Sequence, residues 1–220
     1  MYRYLLNRRH FIAAGALGAL SGIYPSASVG ATAKRPTTIL VVGDSLSAEY
    51  GLRRGSGWVA LLTQQLDDAK LRARVINASI SGDTTSGGRS RLPALLKQHK
   101  PTHVIIELGG NDALRGLPLN LTEDNLTFMT RSAQKADAKV LLVGMQLPPN
   151  YGREFGERFA AVFGKVALAN KAALVPFLLK GVADQANALS LFQADRIHPK
   201  EEAHPIMLAN VWPELKKMLP

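Results

Sequence analysis

Gly43-Asp44-Ser45-Leu46-Ser47 follows directly on the apolar run Thr38-Ile39-Leu40-Val41-Val42. A β-branched run that stops at glycine predicts a buried parallel strand ending in a tight turn. In open α/β sheets ligands sit outside the carboxyl ends of the strands, so the Ser45 hydroxyl is aimed at that crevice. Serine becomes a nucleophile only beside a base, a carboxylate that orients the base, and donors for the oxyanion. The chain offers candidates for each. Asp195-Arg196-Ile197-His198-Pro199 brings His198 as base, with Asp195 three residues earlier to hold its tautomer. Gly109-Gly110-Asn111-Asp112 brings the Asn111 amide, and Ser81-Gly82-Asp83 brings the Gly82 N–H, which no Cβ crowds.

Each piece alone is ordinary. A serine after a strand is usually a turn residue or a helix cap, Asp-x-x-His is usually a surface pair, and Gly-Gly-Asn-Asp is good turn chemistry. Together, at successive strand ends, they point to acyl transfer. Asp44 and Asp112 are expected to shape their loops, Asp44 by accepting backbone N–H groups. His204 is the alternative base and is set aside because it falls in the last predicted helix. His99 and His103 bracket a helix-to-strand turn; they read as surface residues and form no metal-ligand set.

The elements that must position these residues alternate along the chain. Strands are expected near 37–42, 74–77, 103–108, 139–144 and 174–178. Helices are expected near 57–70, from 85 or 88 to 99, 122–136 with Thr122 as cap, 152–171, and 201–219 interrupted by Pro205 and Pro213. Trp58, Leu61, Leu62 and Leu66 share a face of the first helix, and Leu92, Leu95 and Leu96 a face of the second. This βα alternation predicts a three-layer αβα fold, flavodoxin-like, with a five-stranded parallel sheet in the order 2-1-3-4-5. The loops 108–121 and 146–151 then frame the acyl pocket, where Leu114, Leu117, Leu147 and Pro148 offer an apolar lining.

The chain has 220 residues, 46% hydrophobic and 20% charged, which suits one α/β domain. The absence of cysteine excludes disulfides, a Cys-based zinc site and a thiol nucleophile. Residues 1–33 have a different character. Arg8-Arg9 precedes Phe11-Ile12 and a small apolar run, Ala13 to Leu20, and a small-residue stretch follows from Ser26 to Ala33. That is the layout of a secretory signal peptide, and the paired arginines resemble a bacterial twin-arginine signal. The run from Phe11 to Tyr24 is shorter than the roughly 20 residues that span a bilayer. Residues 1–33 are therefore expected to be cleaved, after Ala31 or Ala33, leaving a domain over 34–220 in the periplasm or outside the cell. The formal charge of +10 becomes +7 once Arg3, Arg8 and Arg9 are removed. The basic residues are scattered without interleaved aromatics, which excludes a nucleic-acid partner and allows at most peripheral contact with anionic lipid. A monomer is expected.

Gly-Asp-Ser-Leu, Gly82, Gly109-Gly110-Asn111-Asp112 and Asp195-x-x-His198 resemble the four blocks of the SGNH (GDSL) hydrolase superfamily. Asn77 to Thr84, Arg91 to His99, Glu107 to Asp112 and Leu147 to Gly152 are most similar to the periplasmic multifunctional thioesterase I/lysophospholipase/arylesterase group. The resemblance implies Ser45 as nucleophile, His198 as base and then acid, and Asp195 as its orienting carboxylate. It also implies an oxyanion hole from the Ser45 and Gly82 N–H groups and the Asn111 side chain, with no metal or organic cofactor. The expected substrates are small acyl or aryl esters, acyl-thioesters and lysophospholipids. A carbohydrate O-deacetylase of the same superfamily and a non-catalytic flavodoxin-like anion-binding module are the alternatives; nucleotide binding lacks both glycine-rich signatures.

Overall fold

Ile39, Leu40, Val41 and Val42 have no solvent exposure on either side of their strand, as a β-branched run flanked by strands on both edges requires. This strand, β1 (Thr37–Gly43), begins the domain in a computed structural model that describes residues 35–220. The expected signal peptide at 1–33 lies outside the described residues. There follow α1 (Trp58–Asp68), β2 (Ala73–Asn77), α2 (Thr85–His99), β3 (His103–Glu107), α3 (Gly110–Leu114), α4 (Leu119–Lys135), β4 (Lys139–Val143), α5 (Arg153–Asn170), β5 (Ala173–Val175) and α6 (His204–Met218). The five strands are parallel and ordered β2-β1-β3-β4-β5, the predicted topology. In register, Gly43 at the end of β1 faces Glu107 at the end of β3, so the following loops leave from one edge.

The helices form two groups. α1 packs on α6, and α4 packs on both α2 and α5. Trp58, Leu62 and Leu66 recur every four residues along α1 and are wholly buried, while Leu61 and Leu95 sit half-buried at the margin of the expected faces. Among the described residues no helix is long and apolar enough to cross a membrane.

Several boundaries differ from expectation, each for a local reason. β5 stops at Val175 because Pro176 has no N–H for the ladder. Pro205 lies in the first turn of α6, where an N–H has no helical partner, and Pro213 is carried inside a helix that runs on to Met218. α4 begins after Pro118, three residues before Thr122; Thr122 does not cap it but turns a buried hydroxyl toward Asp112 (3.4 Å). The segment after β3 is not all loop. Gly109 adopts φ +123°, redirects the chain, and the short helix α3 carries Asn111 and Asp112.

One histidine is corrected, and a second falls in the last helix as expected. His103 is buried at the foot of β3, not on the surface, with Nε2 3.1 Å from the Met218 carbonyl. His204, the first residue of α6, is buried against the start of α1, and its Nδ1 accepts the Trp58 backbone N–H at 3.0 Å. It therefore supplies the end of α1 with an acceptor that Gly57, lacking a side chain, cannot. Glu201, three residues before His204, is engaged by Arg53 at 2.8 Å. Burial lowers the pKa of His204, which favours the neutral ring whose Nδ1 accepts from Trp58.

The unfolded chain takes up the His204 proton near pH 6.5, and the folded chain does so only at lower pH, so this contribution is lost as pH falls through 6.5. His204→Phe fills the space but accepts nothing, and should cost about 1–3 kcal/mol at pH 7.5. Urea unfolding should show that penalty shrinking below pH 6, because only the parent protein loses stability through this ring.

Candidate active site

Ser45 stands two residues beyond β1, in a turn closed by the Asp44 carbonyl, which accepts the Ser47 and Ala48 N–H groups (3.2 and 2.9 Å). The Asp44 side chain fixes the same turn from beneath. Its Oδ1 accepts the Leu46 N–H (3.0 Å) and its Oδ2 accepts from Asn111 Nδ2 (3.0 Å). One carboxylate thus ties the Ser45 turn to α3. The Asn111 amide has two hydrogens; Asp44 takes one and thereby aims the other.

Below this turn lies a side chain that motif reading missed. Glu107 is 2% exposed, and its Oε2 accepts the Ser47 hydroxyl (2.7 Å) and the Asp44 N–H (3.3 Å). A carboxylate directly after the apolar run Val104-Ile105-Ile106 was its one signal. Burial, and then the neighbouring Asp44 carboxylate, push Glu107 well above the usual carboxylate range. Burial raises Asp44 to about 6, against the lowering effect of the Leu46 and Asn111 donors.

The second loop is held by Arg91. Its Nε pairs with Asp83 Oδ2 (2.8 Å), and its two terminal nitrogens donate to the Ala78 and Gly43 carbonyls. Ile80 adds a backbone bond to the Gly43 carbonyl (3.0 Å). Ile80 to Asp83 is a turn closed by the Asp83 N–H on the Ile80 carbonyl (3.0 Å), with Gly82 third at φ +78°, as a type II turn demands. Arg115 donates to the Gly82 carbonyl (2.8 Å). The N–H groups of Ser45 and Gly82 have no acceptor among the described residues.

Asp112 is wholly buried and binds Thr85 through both backbone N–H (2.8 Å) and hydroxyl, anchoring α3 to the start of α2.

Asp195 and His198 occupy a loop whose ends meet in an antiparallel bridge, Phe192 to Pro199. Asp195 Oδ1 accepts the Ile197 and His198 N–H groups (3.0 Å each), and Oδ2 lies 2.7 Å from His198 Nδ1. His198 Nε2 is 2.8 Å from Ser45 Oγ. Burial works to raise the Asp195 pKa, but the His198 ring and the two backbone donors outweigh it and hold it at about 2. An ionised carboxylate only accepts, so Nδ1 carries the proton of the neutral ring and Nε2 is left to accept the Ser45 hydroxyl. The structure therefore brings Ser45, His198, Asp195 and Asn111 together and sets Gly82 in the adjoining loop. Chemically, this arrangement can draw a proton from a serine hydroxyl.

Of the expected pocket residues, Leu114 and Leu117 follow β3 at and beyond the end of α3, and Leu147 and Pro148 follow β4. Leu114 and Pro148 are exposed, whereas Leu117 is half-buried and Leu147 packs partly into the core. Among the described residues no group of three or more His, Asp or Glu side chains is gathered to hold a metal ion.

Residues 41–206 match the GDSL-like lipase/acylhydrolase family. The chain belongs to that family. It is 54% identical to esterase TesA of Pseudomonas aeruginosa over 83% of this chain and 89% of the relative. To thioesterase 1/protease 1/lysophospholipase L1 of Escherichia coli K12 it is 43% identical, over 77% of this chain and 79% of the relative. It also resembles a crystal structure of the psychrotrophic esterase EstA from Pseudoalteromonas inhibited by monoethylphosphonate. That likeness has a TM-score of 0.77 and 40% identity, over 83% of this chain and 98% of the other. As a member of this family the chain is an enzyme that hydrolyses ester bonds.

Asp44 and Glu107 both have pKa values raised above those of the unfolded chain. The stability they contribute is present at pH 4 and is lost as pH rises, for Asp44 through about 6. Glu107→Gln keeps an acceptor for Ser47 and removes the like charge. Between pH 5 and pH 8 the parent protein should lose more unfolding free energy in urea than this variant, and equal slopes would refute the buried-pair reading.

Proposed function

We propose that this chain is an exported serine esterase in which Ser45 attacks the carbonyl carbon of an acyl ester and forms an acyl-enzyme. The observation that carries this reading is the 2.8 Å contact of His198 Nε2 with Ser45 Oγ, on a ring whose other nitrogen faces Asp195 at 2.7 Å. In the first step Nε2 takes the hydroxyl proton as Oγ bonds to the carbonyl carbon. Asp195 stays ionised and stabilises the imidazolium. The carbonyl oxygen, now negative, is received by the Ser45 and Gly82 N–H groups and by the Asn111 N–H that Asp44 leaves free. As the tetrahedral intermediate collapses, His198 gives the proton to the leaving oxygen or sulfur. Water then enters, His198 draws its proton, and the second collapse returns the acid and restores Ser45.

No step in this sequence requires a metal or an organic cofactor. The acyl chain would lie along the segments carrying Leu114, Leu117, Leu147 and Pro148, whose exposed apolar groups suit a hydrocarbon chain. Carboxylic esters of aryl and alkyl alcohols are the main substrates of this reading, with acyl-thioesters and lysophospholipids included because relatives bear those names. The arginine pair and apolar run in residues 1–33 support export by a twin-arginine leader, with the mature enzyme working as a monomer on small esters.

Ser45→Ala should leave the circular dichroism spectrum unchanged and lower kcat/KM for p-nitrophenyl butyrate by at least about 10⁴-fold. Asn111→Ala removes one oxyanion donor and should cost about 10²–10³ in kcat. Parental turnover by a folded Ser45→Ala protein would reject the nucleophile. A panel of aryl acetates, longer acyl esters, acyl-CoA, lysophospholipid and acetylated sugars, run on residues 34–220, separates the esterase from an O-deacetylase.

A further inference from the structure

Ser45 and His198 are 153 residues apart in sequence and belong to different loops. The bond between them cannot hold the loops together by itself, because a single hydrogen bond contributes only about 1 kcal/mol. A second connection lies beside it. Gln193, at the base of the His198 loop, donates from Nε2 to the Tyr50 carbonyl (2.9 Å) and to the Pro199 carbonyl (3.0 Å). Its backbone N–H donates to the His198 carbonyl (2.8 Å), and the Tyr50 N–H reaches the Ser45 carbonyl (3.4 Å). Ser45, Tyr50, Gln193 and His198 thus form a closed ring of contacts, completed by Nε2 and Oγ.

Two further observations show that this crossing is built closely. A Cβ on Gly51 (φ +70°) would lie 2.1 Å from Gln193 Oε1, so the amide rests flush on backbone that only glycine leaves open. The Tyr50 ring lies against the His198 imidazole, centroids 4.2 Å apart and tilted by 38°, although 48% of the residue remains exposed. An aromatic that exposed has another reason to stay in place, and the ring face of His198 supplies it. Aromatic pairs favour tilted or offset contact at this separation, and the contact strengthens when the imidazole turns cationic.

We infer that Gln193 and Tyr50 are positioning residues, a clasp that keeps His198 Nε2 in reach of Ser45 Oγ, resting on the roles proposed above for those two residues. Gln193 fixes how far the base loop stands from the nucleophile turn, and Tyr50 fixes the tilt of the ring. The internal order of the base loop is independent of both, because Asp195 and its three contacts lie inside residues 195–198.

The test uses Gln193→Ala, Gln193→Glu, Tyr50→Leu and Tyr50→Phe in the full domain, with p-nitrophenyl butyrate kinetics, the downfield proton resonance of His198 Nδ1–H, and labelling of Ser45 by an alkyl phosphonate. Gln193→Glu keeps the size and removes both donated hydrogens. Both Gln193 variants should lose about 10- to 100-fold in kcat with KM little changed, as expected for a reacting group displaced by up to an ångström. Tyr50→Leu should lose about tenfold, and Tyr50→Phe, which keeps the ring, should recover that loss. The Nδ1–H resonance should persist in all four, which a collapse of the loop would not allow. Unchanged kcat in the Gln193 variants, a loss confined to KM, or disappearance of the resonance together with activity would overturn the clasp. Failure of the phosphonate to label Ser45 in the parent protein would instead overturn the catalytic reading.

Discussion

The carboxylate of Asp44 is the contact through which the site edge is assembled, because each of its oxygens serves a different loop. Oδ1 shapes the turn that presents Ser45, and Oδ2 orients the Asn111 amide on α3. Neither task suits a neutral side chain. Two N–H donors converge on one small residue at the end of a strand, and an anion satisfies both with roughly twice the strength of a neutral acceptor. The cost is burial of a charge, since Asp44 is almost wholly enclosed. Glu107 sharpens the conflict by placing a second carboxyl beneath the first. Burial raises the pKa of both groups, and the neighbouring Asp44 carboxyl raises that of Glu107 further.

Why the fold tolerates this arrangement follows from what surrounds it. β1 is sandwiched between β2 and β3 and packed by apolar side chains on both faces, so its end has no freedom to relax. Gly43 is needed there because a Cβ would come within 2.8 Å of Glu107 Oε2 and of Ser47. Arg91 then closes the neighbouring loop onto the Gly43 carbonyl, which spreads the constraint across the ends of β1 and β2. Asp112, through Thr85, does the same for α3 and the start of α2. The site is held by buried polar bonds between loops, and the apolar core supplies the rigid frame from which they start. Such networks are strong only when each member is satisfied, and Asp44, Glu107, Arg91 and Asp112 all are.

Much of this was legible from sequence because it is local or periodic. Strand order followed from the alternation of β-branched runs with helical faces. The pairing of Asp195 with His198 followed from a three-residue spacing, and the turn-shaping role of Asp44 from its place before Ser45. What escaped reading was non-local or fine-grained. No spacing connects Tyr50 with Gln193 or Arg91 with Gly43, and these contacts exist only once the sheet brings distant loops to one edge. His103 was misjudged for the same reason: it looks like a surface residue until the C-terminal end of the chain, at Met218, covers it. The boundary errors at Thr122 and Val175 have a different cause, because proline chemistry at Pro118 and Pro176 overrode the hydrophobic pattern.

This division also explains how a half-exposed site can be exact. Ordering a residue costs about 1–2 kcal/mol of backbone entropy, and an open loop has little buried surface to offset it. The base loop avoids most of that cost by local means: the Asp195 carboxylate binds two backbone N–H groups and a ring nitrogen within three residues, and the Phe192–Pro199 bridge closes the base. It therefore meets the sheet as a preformed unit with few internal degrees of freedom. What the rest of the fold must still specify is the placement of that unit against the Ser45 turn. A few hydrogen bonds and one aromatic contact are enough to set so small a number of variables, and the outer side of the site is left open to acyl and leaving groups of different shape.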